Sequence, residues 1–304
     1  MRLHEAVFAG KDGFVERECP SCYFIYKIRS SDWENKVFEY EVFCPKCKTS
    51  SPSDNWWTHE QIELIKHLLD GKKHFANEPL VAVKGLKNRF EGTNGYENRE
   101  YRRNSAYTFE NNDEGIKHSF ENNIVCNSCG TEFRTVGGAF VCPCCSFDNV
   151  LRCYPSFLEK TEEMLFCIKE MKEIIANLKG EDEVELFERE ALYYTAEDIV
   201  LCFNTYCRKV FNVIGIDKYC EMNFGTVAKT NKEFLSVFGR GIADKCEKEY
   251  LNSAETVFAE VNSFLNKKKK EKTPRIVLQD VVLTVKTLKN IVERIRAIAF
   301  GKAV

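Results

Sequence analysis

Histidine is scarce in this sequence and is confined to its first part. Only 5 of the 304 residues are histidine, and none follows His118. Histidine is the side chain that most readily exchanges protons near neutral pH. Its absence excludes histidine-based acid–base catalysis from the C-terminal half of the chain.

An excess of positive charge is also lacking. Residues 1–150 carry 19 Lys and Arg against 22 Asp and Glu, and residues 151–304 carry 25 against 24. This balance excludes nucleic-acid binding that is driven by the net positive charge of a whole domain.

Long apolar segments are missing as well. The longest aliphatic run, from Ile199 to Phe203, is far shorter than the roughly 20 residues that cross a bilayer. The N-terminus has neither a basic start nor a long apolar stretch, so we expect no signal peptide, no membrane partner and a cytoplasmic location. The 44% hydrophobic content is enough for a real core, and the length predicts two or three domains.

Cysteine, in contrast, is abundant. Eight of the 15 cysteines fall in C-x-x-C pairs, a pattern that favours reduced thiols with bound metal over a disulfide scaffold. The four pairs form two groups of four cysteines, called quartets below. In the first quartet, 21 residues separate the two pairs, which is the spacing of a zinc ribbon. Apolar and polar residues alternate between the pairs, and this alternation predicts a hairpin. The first quartet comprises Cys19, Cys22, Cys44 and Cys47.

The second quartet has 12 residues between its pairs, with Gly137 and Gly138 as the turn of a short hairpin. It comprises Cys126, Cys129, Cys142 and either Cys144 or Cys145. We assign Cys145, because it alone restores the C-x-x-C spacing, and keep Cys144 as an alternate ligand or a neighbouring thiol. Each quartet predicts one structural Zn²⁺, since four thiolates leave no open coordination position for catalysis.

The sequence predicts an α+β protein with two small β zinc ribbons in the N-terminal half, followed by an all-α bundle. Thr58 and Gln61 form a capping-box pattern at the start of a helix. Apolar periodicity predicts helices from Pro155 onward, over about 183–214 as the buried centre, and over about 278–300. The expected domains are a first ribbon at 1–57, a helical connector at 58–90, a polar linker at 91–123, a second ribbon at 124–153 and the bundle at 154–304.

Two segments are candidates for contact with nucleic acid. The linker interleaves basic and aromatic residues, an arrangement that suits stacking on single-stranded bases, although acidic neighbours offset its charge. A basic run near the C-terminus suits RNA or an acidic partner, although such runs are commonly solvated loops. The candidates are Arg99, Tyr101, Arg102 and Arg103 in the linker and Lys267, Lys268, Lys269 and Lys270 in the run.

The helical half resembles the HEPN superfamily of helical bundles. The resemblance rests on an amphipathic helix, an acidic break and a long second helix ending in EDIVLCFNTYCRKVF, and the whole chain resembles bacterial proteins that join a zinc ribbon to a HEPN-like bundle. Active HEPN ribonucleases carry an Arg followed within a few residues by a His. Here the corresponding segment, Phe258 to Asn266, has neither, with Glu260 and Leu265 or Asn266 at those positions.

The first hypothesis is therefore a non-catalytic zinc protein that recognises nucleic acid, RNA rather than DNA, or a protein partner, with a homodimer formed through the bundle. The family resemblance implies a role in bacterial anti-phage defence or stress response. One alternative is a metal-independent ribonuclease in which Arg208, Arg240 or the lysine run replaces the histidine. The other is a transcription-associated zinc-ribbon factor.

Overall fold

The computed structural model describes residues 10, 12–37, 41–63, 120–179, 181–266 and 273–301. It is a mixed α+β fold, with small antiparallel sheets in the N-terminal half and a helical C-terminal half. Among the described residues, no helix combines the length and the apolar character needed to cross a membrane.

The described strands form two sheets. The larger one has the order β1-β2-β6-β5, and the smaller one pairs β3 with β4. The strands are β1 (Phe14–Glu18), β2 (Ile25–Arg29), β3 (Glu41–Phe43), β4 (Ser50–Pro52), β5 (Asn122–Val125) and β6 (Glu132–Thr135). The segments around the two cysteine quartets therefore share one sheet, because β2 pairs with β6 at Lys27 with Arg134 and at Ile28 with Phe133.

The prediction of a hairpin between the two C-x-x-C pairs of each quartet is wrong. Each long hairpin instead has a C-x-x-C at its tip, since β1 pairs with β2 and β5 with β6. After β2 the chain forms a short helical turn, Ser30–Asp32, and a π-helical segment, Trp33–Val37. The buried Trp33 ring packs against the Arg17 guanidinium, 4.1 Å from the ring centroid, and the Asp32 carboxylate accepts the Glu132 N–H at 2.7 Å. These contacts favour the helical turn over a continuing strand.

The capping box predicted at Thr58 and Gln61 is confirmed. The Thr58 hydroxyl accepts the Gln61 N–H at 3.2 Å, and the Gln61 side-chain oxygen accepts the Thr58 N–H at 3.0 Å. A helix follows over the described residues 59–63. The remainder of the predicted connector and nearly all of the predicted linker lie outside the described residues.

Five longer helices are described in the C-terminal half. They are α1 (Val150–Lys179), α2 (Glu181–Val213), α3 (Val227–Phe238), α4 (Lys248–Asn266) and α5 (Leu278–Phe300). α1 begins five residues before Pro155, inside the range predicted for the second ribbon. The Asp148 side chain accepts the Val150 N–H at 3.1 Å and so supports this earlier start.

The central position predicted for α2 is confirmed, because α2 contacts α1, α4 and α5. α1 and α2 run antiparallel: the Tyr154 hydroxyl donates to the Ile199 carbonyl near one end, and Lys172 pairs with Glu188 at 2.7 Å near the other. Buried aromatic rings fill the centre of the bundle. Tyr154 stacks with Phe157 and lies 5.4 Å from the Tyr206 ring.

Candidate metal centres

The structure brings each cysteine quartet together. In the first quartet the Cys19 and Cys47 sulfurs lie 3.7 Å apart, and so do the Cys22 and Cys44 sulfurs. In the second, two sulfur pairs lie 3.6 Å apart, namely Cys126 with Cys145 and Cys129 with Cys142. Four sulfurs around a tetrahedral Zn²⁺ at about 2.3 Å would be separated by about 3.8 Å. Both quartets therefore have the dimensions of a tetrathiolate metal site and could hold metal ions.

Each C-x-x-C turn, called a knuckle below, has the same backbone geometry. The N–H of the residue after the second cysteine donates to the carbonyl of the first cysteine at 2.9 to 3.1 Å. That residue has a positive φ in every knuckle, which reverses the chain and closes the hairpin. These residues are Tyr23, Lys48, Gly130 and Ser146.

Backbone N–H groups within the knuckles point at sulfur. In the first quartet Ser21 and Lys46 donate to the sulfurs of Cys19 and Cys44 at 3.4 Å. In the second, Ser128 donates to the Cys126 sulfur at 3.4 Å. Such donors stabilise a thiolate, which is the form that ligates metal.

Cys145 completes the second quartet. Its sulfur lies within the group that also contains Cys126, Cys129 and Cys142, and the positive-φ residue Ser146 follows it directly. The Cys144 sulfur instead points to the Lys36 carbonyl at 3.7 Å. The assignment made from spacing agrees with this geometry.

The two quartets are related by a local twofold axis that the sequence analysis missed. Cys126 follows Cys19 by 107 positions, and the same offset converts every residue pair of the β5–β6 register into a pair of the β1–β2 register. For example, Val15 pairs with Ile28, and their equivalents Asn122 and Thr135 also pair. The axis passes between Lys27 and its own equivalent, Arg134, which face each other across β2 and β6.

The second knuckles obey the same symmetry. Cys142 follows Cys44 by 98 positions, and two reciprocal hydrogen bonds join the knuckles. The Phe43 N–H donates to the Pro143 carbonyl at 2.9 Å, and the equivalent Val141 N–H donates to the Pro45 carbonyl at 3.2 Å. The sequence signal for this repeat was the recurrence of an apolar residue followed by Cys-Pro.

Like charges at the axis are compensated by one carboxylate. Glu121 is buried, lies 2.7 Å from the Lys27 ammonium and lies 3.8 Å from the Arg134 guanidinium. Arg134 also pairs with Asp12, and its guanidinium lies 3.7 Å from the centroid of the Phe14 ring. The basic side chains of this sheet face therefore already have acidic partners.

The thiol environments fit a metal cation. A hydrogen bond from Cys22, followed by one from Cys44, lowers the pKa of Cys19, whereas the neighbouring Cys19 raises the pKa of Cys22. Burial raises the pKa of Cys142 and Cys145 in the second quartet. The proximity of the four thiols and their burial thus oppose the ionisation of all four. A divalent cation would compensate the negative charge of the thiolates.

One carboxylate on α2 joins both quartets to the bundle. The Asp198 Oδ1 atom lies 3.4 Å from the ammonium of Lys46, a residue of the first quartet's second knuckle. Its Oδ2 atom accepts the Gly138 N–H at 3.1 Å. Burial is the largest single influence and lowers the pKa of Lys46, but the charge and hydrogen bond of Asp198, together with the smaller effects of Glu197 and Cys22, raise the pKa overall. Gly137 and Gly138, predicted as a hairpin turn, therefore contact α2.

The candidates for nucleic-acid contact lie outside the described residues. These are Arg99, Tyr101, Arg102, Arg103, Lys267, Lys268, Lys269 and Lys270. On α2, the Arg208 Nε donates to the Met222 carbonyl at 2.8 Å, and the buried Asn204 amide donates to the Val200 carbonyl at 3.1 Å. Both side chains thus make contacts within the helical half.

No family model matches the chain, and no curated protein or solved structure matches it either.

Proposed function

We propose that this is a non-catalytic binding protein whose N-terminal half is held together by two structural Zn²⁺ ions and whose helical bundle presents a surface to a macromolecular partner. The sulfur separations of 3.6 to 3.7 Å carry the proposal. Four thiolates satisfy tetrahedral Zn²⁺ completely, so no ligand position remains for water or substrate. Bound zinc would stabilise the two zinc-ribbon-like halves of the sheet.

The described surface favours a protein partner. Phe166 and Ile174 on α1 are 64% and 57% exposed, and Leu186 on the adjoining part of α2 is 41% exposed. Large exposed apolar side chains are common at protein interfaces. The surrounding sequence is acidic, with six carboxylates and one Arg between residues 181 and 190, and acidic surfaces repel nucleic acid.

Small-molecule chemistry has less support. A small cleft of about 10 Å³ lies between β5 and α1, where Asn122 and Lys160 contribute polar atoms. Pockets for small ligands usually measure about 300–1,000 Å³. The proposed role of the bundle is therefore to recognise a macromolecular partner. It would do so as a HEPN-like domain that lacks the Arg and His pair of the active ribonucleases.

A comparison of surface variants tests the partner proposal. The full zinc-loaded chain and a Phe166→Ser, Ile174→Ser variant would be used to isolate binding proteins from the source cells, with Leu235→Ser as the control. Leu235 is 50% exposed on α3 and lies on a different helix. We expect a stoichiometric protein partner that the double variant loses and the control keeps. Equal recovery by all three proteins would contradict the assignment of this surface.

Labelled single-stranded RNA tests the alternatives. Binding that disappears when Lys267–Lys270 are replaced by serine would favour the predicted RNA contact over a protein partner. Cleavage of the RNA that is lost in Arg208→Ala would contradict a non-catalytic role. The homodimer, the transcription-associated role and the role in anti-phage defence or stress response stay predictions.

A further inference from the structure

The outward side of α1 carries a stripe of exposed side chains. Successive members are three or four residues apart, so they lie on the same side of the helix. Two members are large apolar side chains, and carboxylates precede and separate them. The members are Glu159, Glu163, Phe166, Glu170 and Ile174, called the α1 stripe below.

The carboxylates of the α1 stripe make no ion pair with the residues that the structure describes. Lys160, the basic residue nearest to Glu163 in sequence, donates to the Glu121 carbonyl. Lys169 is next to Glu170 in sequence, and adjacent residues of a helix do not face each other. The α1 stripe therefore surrounds its two apolar side chains with uncompensated negative charge.

The start of α2 adds to this negative charge. Lys172 of α1 pairs with Glu188 of α2 at 2.7 Å, so the first turns of α2 lie beside the C-terminal part of α1. Asp182 and Glu183 in those turns are exposed and make no ion pair with described residues. A partner that covers the α1 stripe thus meets carboxylates on both helices.

The charge of the α1 stripe decides what kind of partner fits it. Nucleic acid and anionic lipid are repelled by carboxylates. A second copy bound through a twofold axis at this surface would place the stripe opposite itself, carboxylate against carboxylate. The complementary surface carries Lys or Arg side chains around apolar ones, so it belongs to a different, basic protein.

The spacing of the apolar side chains favours a helix as the docking element. Phe166 and Ile174 are eight residues apart, which is about 12 Å along the helix axis. Apolar side chains two turns apart on a second helix have nearly the same separation. A helix laid along α1 would therefore contact both positions with one face.

We propose that the α1 stripe is the docking site for a basic amphipathic helix of a different protein. Apolar side chains of that helix contact Phe166 and Ile174, and its Lys or Arg side chains pair with Glu163 and Glu170. The proposal rests on the proposed function, in which this surface of the bundle recognises a protein, and it adds the chemistry of the partner.

Three designed helical peptides test this chemistry on the full zinc-loaded chain. The first carries leucines along one side with lysines on both flanks, and the second has glutamate in place of each lysine. The third has the composition of the first, with its leucines distributed around the helix. Fluorescence anisotropy would measure binding at low and at high salt. We expect the first peptide to bind at least about tenfold more tightly than the others, with an affinity that falls as salt rises.

Charge variants locate the binding site of the lysine peptide. Glu163→Gln, Glu170→Gln should weaken its binding, and Glu163→Lys, Glu170→Lys should weaken it further, by about tenfold or more. Glu221→Lys, Glu247→Lys makes the same change of net charge at two exposed positions outside α1 and α2 and should bind as the wild type does. The replaced side chains are all exposed, so each variant should keep the wild-type melting temperature.

Equal binding of the lysine and glutamate peptides, or an equal loss in the stripe and control variants, would overturn the proposed partner chemistry. Self-association that is lost in Phe166→Ser, Ile174→Ser would overturn it as well, since a second copy would then be the occupant. A cellular partner lost by that serine variant but kept by Glu163→Lys, Glu170→Lys would overturn the charge pairing and leave the proposed function intact. Recovery of the same proteins by the serine variant and the wild type would instead contradict the proposed function.

Discussion

Lys46 and Asp198 form an ion pair that connects a metal-site knuckle to the central helix of the bundle. The ammonium lies 3.4 Å from one carboxylate oxygen, and the other oxygen accepts the Gly138 N–H at 3.1 Å. Asp198 is buried, so it depends on these partners to compensate its lost hydration. Asp198 thus helps to hold a segment of each metal site against α2.

Replacing Asp198 tests this connection. Asp198→Asn keeps an acceptor for Gly138 but leaves Lys46 without its counter-charge, and we expect the free energy of unfolding to fall by about 1–3 kcal/mol. Denaturant unfolding would measure it. In a double-mutant cycle with Lys46→Met, the two losses should be strongly non-additive. Additive losses would show that the pair does not couple.

The close approach of Gly138 to α2 gives a second prediction. A Cβ atom at Gly138 would lie 2.3 Å from the Cys202 sulfur, far inside van der Waals contact. Gly138→Ala should therefore destabilise the protein by about 1–3 kcal/mol, as overpacking does. Cys202→Ala removes the obstructing sulfur and should rescue much of this loss in the double variant. Thermal unfolding of all three variants would show whether it does.

The shared carboxylate at the local axis gives a third prediction. In Glu121→Gln, Lys27 and Arg134 would face each other across β2 and β6 without the charge that now lies between them. We expect a lower melting temperature than in the wild type and a partial recovery at high salt, which screens the repulsion. Adding Lys27→Met should also recover stability. A variant whose stability is independent of salt would contradict the electrostatic explanation.

Loss of zinc from one site should weaken zinc binding at the other. Cys19→Ser and Cys126→Ser should each reduce the zinc content from two ions to one, and zinc binding contributes about 10–16 kcal/mol to folding in small metal-binding peptides. Because β2 pairs with β6, we expect each variant also to bind the remaining zinc more weakly. Elemental analysis and chelator competition would check both results. Unchanged affinity at the remaining site would mean that the halves fold independently.

Local signals explain what could be predicted from the sequence. The cysteine spacing, the capping box at Thr58 and Gln61, and the helix over Leu278–Phe300 each depend on residues close in the chain. Apolar periodicity identified α2 as the central helix for the same reason. The choice of Cys145 over Cys144 followed from the C-x-x-C spacing, which involves only four consecutive residues.

The errors arose where distant residues decide the outcome. The alternating residues of β2 fit a strand but do not say which strand pairs with it, and its second partner, β6, lies about a hundred residues away. The helical turn after β2 depends on the contact of Asp32 with Glu132. Pro155 concealed the start of α1 at Val150, because proline usually marks the beginning of a helix.

The pairing of β2 with β6 also affects how the protein is made. During synthesis the hairpin around Cys19 leaves the ribosome long before β6 has been translated. Until then β2 is an edge strand with unpaired backbone groups, which can pair with another nascent chain. A truncated product that ends between β2 and β6 should therefore aggregate. A chaperone would be most useful to this protein in the interval before β6 emerges.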